Sequence, residues 1–148
     1  MNYIMEKEYD LNRFLKAQEL MYPWALREMK NGVKQSHWMW YIFPQLKELG
    51  RSATAKYYGI DGLEEAKMYL AHPVLGTRLK EIIEALLKLE TNDPYRVMGD
   101  IDGLKLCSSM TLFAEVEGYD SVFGKVIDKY YGGKRDVNTI HILQCRLA

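Results

Sequence analysis

The chain has 148 residues, a length that fits one domain and buries roughly two-thirds of the surface its unfolded form exposes. Its residues are 48% hydrophobic and 27% charged, as in an ordinary globular protein, and its twenty basic and twenty acidic side chains cancel. That balance gives no overall field to attract nucleic acid or an anionic membrane, and no stretch reaches the roughly eighteen apolar residues of a membrane helix.

Residues 1–9 read as a short tail, with acidic groups where a signal peptide needs an apolar run. Asp10 is the expected N-cap of a helix carrying Leu11, Phe14, Leu15 and Gln18. Pro23 cannot continue that helix unkinked and suits the first turn of a second one, which puts Leu26 and Met29 inward and stops at Asn31-Gly32. The run Ser36-His37-Trp38-Met39-Trp40-Tyr41-Ile42-Phe43-Pro44-Gln45 follows. It is apolar on every side between polar ends, which predicts a segment central in the core, with Trp38, Ile42 and Phe43 buried. Ser36 is the expected cap of a short helix ended by Pro44, although periodicity alone does not separate helix from strand there.

Ser52 is placed as the cap of a helix over 53–58 and Asp61 as the cap of one over 63–71, before His72-Pro73 interrupts. Residues 74–89 give a strongly amphipathic helix through Val74, Leu75, Leu79, Ile82, Ile83, Leu86 and Leu87. Asn92-Asp93-Pro94 starts a brief helical turn, residues 99–103 read as a loop, and 104–116 as a helix. Asp120 is assigned as cap of a helix over 122–131, ended by Gly132-Gly133. Asp136 or Asn138 then caps a last helix with Ile140, Leu143 and Leu147 inward. No segment alternates at period two, and there is no repeat or linker. The expected fold is all-α, a compact multihelical single domain over 1–148.

The segments SHWMWYIFPQ at 36–45, AHPVLGTRL at 71–79 and KLCSSMTLF at 105–113 resemble the bacterial domain-of-unknown-function family numbered 1810. Phe14 and Gln18 before them, and Phe123, residues 130–133 and Asp136 after them, keep the same spacing. The resemblance covers nearly the whole chain and implies a compact multihelical fold without an established activity. Members are sometimes labelled calpastatin, whose inhibitory segments resemble long disordered repeats with a Thr-Ile-Pro-Pro core; this chain has neither. Two positions depart from the family pattern: Pro23 after Tyr22, which bears on the shape of the first helix pair, and Cys107 before the paired serines.

His37 is the most suggestive titratable group, because an imidazole near neutral pH serves as acid, base or donor. The plain alternative is a structural anchor at a helix start. Trp38, Trp40 and Tyr41 suit a stacking wall for a base or sugar, or simply the core. Lys105 precedes Ser108 and Ser109 by one helical turn, which allows a Ser–Lys nucleophile, an anion site, or two small residues at a close helix contact. His72 and Arg78 suggest an anion at a helix start, against the plainer reading of a helix junction.

The three histidines lack ligand-pair spacing, residues 100–103 lack the closing glutamate of a calcium loop, and Gly132-Gly133-Lys134-Arg135 lacks the Walker pattern. No metal or cofactor is therefore expected, and no catalytic residue is assigned. Cys107 and Cys145, in separate apolar segments without CxxC spacing, read as buried, reduced thiols in a cytoplasmic protein.

The reading that follows is a pocket between helices for a small, anionic or nucleotide-like ligand, with His37, Trp38, Trp40, Gln45, Lys105, Ser108 and Ser109 as candidate contacts. Its rival is a protein-interaction or structural module without a ligand pocket. Nucleic acid and membrane are not expected partners.

Overall fold

The computed structural model describes residues 8–147, apart from the side chain of Leu147; most of the 1–9 tail and the inward placement of Leu147 lie outside the described residues. The described residues form nine α-helices and one 3-10 turn, with no strand. The helices are α1 (Asn12–Asn31), α2 (Met39–Ile42), α3 (Ala53–Tyr57), α4 (Gly62–Ala71), α5 (Leu75–Leu87), α6 (Pro94–Met98), α7 (Asp100–Glu117), α8 (Val122–Tyr131) and α9 (Val137–Leu147). The 3-10 turn covers Lys47–Leu49. A single parallel bridge joins Leu46 to Ile60 among the described residues.

The first correction concerns Pro23. Helix α1 runs through it as one element. The buried residues Phe14, Gln18, Tyr22, Ala25 and Met29 keep helical spacing on both sides of the proline, so packing of one continuous face outweighs the local penalty. Pro23 itself is exposed, as is Glu19 one turn before it, and water can serve the carbonyl that the missing N–H leaves free. Asp10 does not cap this helix: Leu11 holds the cap position without a side-chain bond, and the Asp10 carbonyl instead accepts from Arg13. At the other end Gly32 adopts φ 81°, and the N–H of Val33 reaches back to Glu28 O at 3.2 Å, closing the helix as the Asn31-Gly32 pair predicts.

The second correction is at 99–103, where residues 100–103 are helical. Asp93 accepts from the N–H groups of Tyr95 and Arg96 to start α6, and Gly99 at φ 88° turns the chain so that α7 begins at once. Two other expected caps do something else. Ser121, not Asp120, precedes α8, and Asp61 precedes α4 while its carboxylate accepts from Arg146 at 2.8 Å. Ser52 and Asp136 cap α3 and α9 as read.

Helix α7 is buried at every position from Ser108 to Ala114 and packs against α4, α6, α8 and α9, so it is the axis of the domain. A series of rings crosses the core beside it. Phe14 meets Tyr69 edge-on at 5.0 Å, Tyr69 meets Phe113 at 5.5 Å, and Phe113 meets Phe123 at 5.5 Å, linking α1, α4, α7 and α8. The 36–45 run lies in the core as predicted, with Trp38, Met39, Tyr41, Ile42, Phe43 and Pro44 buried.

What holds that run is a charge. Glu28, buried on the last turn of α1, accepts four hydrogen bonds: from the N–H groups of Gln35 and Ser36 at 2.8 and 2.9 Å, the Ser36 hydroxyl at 2.6 Å and the Trp38 indole at 2.9 Å. Ser36 therefore serves Glu28 and does not cap α2, which Trp38 precedes. Burial alone would raise the Glu28 pKa. The Ser36 hydroxyl, the two backbone N–H groups and the indole outweigh it and lower the carboxyl from 4.5 to about 2.

Because the folded value lies below the unfolded one, the stability from ionised Glu28 is complete above about pH 4.5 and is lost as pH falls towards 2. Its size is of the order of 3 kcal/mol. Glu28→Gln should cost about 2–3 kcal/mol at neutral pH in urea melts, and the gap to the parent should close as pH is lowered through that window. A gap independent of pH would assign Glu28 a steric role.

Candidate functional site

Glu28 also fixes the chain on either side of His37. With Ser36 and Trp38 both tied inward to one carboxylate, the residue between them turns out to solvent, and His37 is exposed. Its carbonyl accepts from the Tyr41 hydroxyl at 3.4 Å. The imidazole lines a hollow of about 450 Å³ whose other walls include Trp40, Met98 and Lys105.

Three hollows meet at Lys105, which lines all of them. The second, of about 680 Å³, runs between α7 and the turn after α8, and its walls include Gln45, Ser108, Tyr131, Lys134 and Arg135. The third is a narrow cleft flanked by Trp40, Phe43, Gln45 and Tyr58.

The charges at this junction differ in how far they are engaged. Lys34 is held at 2.9 Å from Asp102, donates to Ser36 O and lies 4.9 Å over the Trp38 ring, so its positive charge is neutralised within the fold. Lys105 stands 4.0 Å from the same Asp102 and 5.9 Å from the Trp40 ring. An ammonium at that range, sharing a carboxylate already bound more closely by Lys34, keeps donors for a ligand. Lys134 and Arg135 are exposed, and the Arg135 guanidinium carbon lies 3.5 Å over the centre of the Tyr119 ring.

The other candidates sort by burial. Trp38 is wholly buried with its indole on Glu28, so it forms no cavity wall. Trp40 is half-buried and does. Gln45 is half-buried, and its carbonyl accepts from Ile60 N–H at 2.8 Å, which pins the residue at the second hollow. Ser108 lines that hollow but donates to Asp136 at 3.0 Å, and the same carboxylate oxygen accepts from Thr139 N–H at 3.1 Å. Asp136 N–H in turn donates to Thr111 at 3.0 Å, so Ser108 belongs to the latch between α7 and α9.

Ser109 is buried away from the hollows, with its hydroxyl unpartnered among the described residues. Lys105 pairs towards Asp102, one turn before it, and the Ser–Lys nucleophile does not form. His72 and Arg78 lie elsewhere: His72 Nδ1 accepts from Val74 and Leu75 N–H at 3.1 and 3.3 Å to start α5, and Arg78 reaches Gln18 at 3.4 Å. That is the helix-junction reading. No group of three or more candidate metal ligands occurs among the described residues.

Residues 8–143 match the family described as "Protein of unknown function (DUF1810)". The chain belongs to that family. Among solved structures it is similar to the conserved hypothetical protein Rv1873 from Mycobacterium tuberculosis, with 43% identity over 92% of this chain and 97% of that one and a TM-score of 0.89. No curated protein matches it. The DUF1810 resemblance read from 36–45, 71–79 and 105–113 thus joins three different structural tasks. These are the run held by Glu28, the His72 junction, and the axis helix bearing Lys105.

Asp102, Lys134 and Arg135 were not among the site candidates. Asp102 sits where the sequence reads a loop, and Lys134-Arg135 is brought to Lys105 only by the packing of α8 on α7. A basic pair directly after a helix-ending Gly-Gly was the available signal.

Both cysteines are free, but neither is fully buried. Cys107 is half-buried on the wall of the second hollow, where burial and the nearby Asp136 carboxylate push its thiol up to about 11 despite a bond with Thr111. Cys145 is exposed on α9, a correction to the expectation of two buried thiols, and its Sγ lies 3.6 Å from His141 Nε2. Iodoacetamide at pH 8 should therefore label Cys145 on the folded protein and leave Cys107, with both labelled after unfolding. Mass spectrometry of the digest reads this directly; equal native labelling would contradict the packing around Cys107.

Proposed function

We propose that the protein binds a small anionic, nucleotide-like ligand at the Lys105 junction. The observation that carries the reading is Lys105 itself, shared by three hollows, loosely paired with Asp102 and flanked by the half-exposed ring of Trp40. In this reading an aromatic ring of the ligand lies against Trp40 and its acid group is taken by Lys105, with Lys134 and Arg135 on the far side. His37 supplies a hydrogen-bond donor at the edge. A pocket with apolar walls and a few convergent polar groups is the usual form of a small-molecule site. Free thiols at Cys107 and Cys145 support a cytoplasmic setting, and no helix among the described residues is long and apolar enough to cross a membrane.

The alternative is an interaction module without a ligand pocket. It is favoured by Leu20 and Trp24, one turn apart on α1 and 79% and 53% exposed. A thermal-shift panel of nucleotides, sugar phosphates and carboxylates separates the two. A ligand at a hundred times its dissociation constant adds about 2.7 kcal/mol of stability, and a flat panel favours the module.

Because His37 is exposed and Lys105 is partly so, His37→Ala and Lys105→Met should each change the unfolding free energy by less than about 1 kcal/mol. Each should weaken binding of the panel's best nucleotide by about tenfold, and the double variant should lose less than the sum, because both line one hollow. Urea melts and calorimetric titrations of the three variants check this. Large, additive stability losses with unchanged binding would give both residues structural roles.

A further inference from the structure

Three of the most exposed large apolar side chains border the same junction. Ile101 is 71% exposed and lines the first hollow; Leu104 and Val137, 62% and 74% exposed, line the second together with Tyr95. Exposed apolar residues scattered singly carry no message, but a cluster at the edge of a polar cavity does. Helix α7 presents Ile101, Leu104 and Lys105 within about one turn of its first half, and α9 contributes Val137 from across the second hollow.

A free nucleotide with its base against Trp40 and its acid on Lys105 has no further apolar group to cover that rim. We infer that the Lys105 junction receives its acid group as part of a polypeptide, an acidic segment whose apolar side chains flank the acid and lie on Ile101, Leu104 and Val137. The inference rests on the anion-binding reading above and names the partner that would present the anion.

Charge complementarity selects this occupant. Lys105, Lys134 and Arg135 converge on the second hollow, where the carboxylate of Asp136 is already bonded to Ser108 and Thr139. A guanidinium stacked on a ring, as Arg135 is on Tyr119, still offers N–H groups at its edge to a carboxylate. A second copy of the chain, paired through this face about a two-fold axis, would bring the same three cations together. An aliphatic rim likewise lacks the stacking and cationic groups that follow a nucleic-acid strand.

The test is selection of random short peptides displayed against the immobilised full chain, with AMP titrated in parallel as the small-anion probe. Enriched peptides should carry an acid flanked by aliphatic or aromatic residues. Their affinity should fall by about tenfold or more in Leu104→Gln and Ile101→Gln, which remove the apolar rim without adding a charge beside Lys105, while AMP affinity stays within about twofold. Both positions are largely exposed, so the variants should fold as the parent does.

AMP binding without enriched peptides overturns this inference and leaves the small-ligand reading standing. Enriched peptides that lack acids, or that bind the rim variants unchanged, overturn it as well. So does a concentration-dependent dimer, seen by sedimentation, that Leu104→Gln dissolves, because the occupant is then a second copy. Absence of both AMP and peptide binding overturns the inference together with the reading it rests on.

Discussion

One buried carboxylate organises the side of the domain that bears the candidate site. Glu28 collects N–H and O–H donors from Gln35, Ser36 and Trp38, and the wholly buried Trp38 indole would otherwise enter the interior with no partner. A lone buried carboxylate is costly, and one satisfied by several donors is held ionised. The consequence reaches beyond the bonds themselves. By fixing the residues on both sides of His37, Glu28 sends the Trp38 indole inward and leaves the imidazole outside. The same stretch ties to α6 and to the axis helix through Lys34, whose backbone N–H donates to Val97 of α6 and whose ammonium pairs with Asp102 of α7.

A second polar cluster steadies the opposite end. Arg13 reaches the buried carboxylate of Glu65 at 2.9 Å and the carbonyls of Tyr57 and Gly59 at 2.8 and 2.9 Å, joining α1 to α3 and α4. Glu65 also accepts from Asp61 N–H at 2.7 Å, which starts α4 where the Asp61 carboxylate does not. Gln18 bridges the two regions, donating to Tyr41 O at 2.7 Å and the Tyr69 hydroxyl at 3.0 Å. Each is a polar group on a face that hydropathy patterning reads as apolar, and each decides register where packing alone would allow sliding.

The all-α class, most helix ends and the burial of the 36–45 run were legible because hydrophobic spacing, Gly-Gly and Asn-Gly stops, and capping residues act locally. Pro23 misled because a proline's cost is local while the face it interrupts is satisfied across the whole helix. Residues 99–103 misled because one glycine at positive φ does the work that a loop was expected to do. The candidate site was legible in part. Lys105, Trp40, Gln45 and His37 border the hollows, while Trp38 and Ser109 turn inward and Ser108 latches α9. Whether a residue in an apolar run faces core or cavity depends on partners distant in sequence, as Glu28 is to Trp38, and no local spacing encodes that choice.

The three tryptophans give the most direct test of the central claim, that an anionic ligand docks at the Lys105 junction. In an NMR titration with AMP, each indole N–H reports a different place: Trp24 on the exposed face of α1, Trp38 on Glu28, and Trp40 beside Lys105. The account predicts saturable shifts of the Trp40 indole and of the Lys105, Lys134 and Arg135 amides, with the Trp24 and Trp38 indoles unmoved. Shifts centred on Trp24, or none at Trp40 at saturating nucleotide, would contradict it.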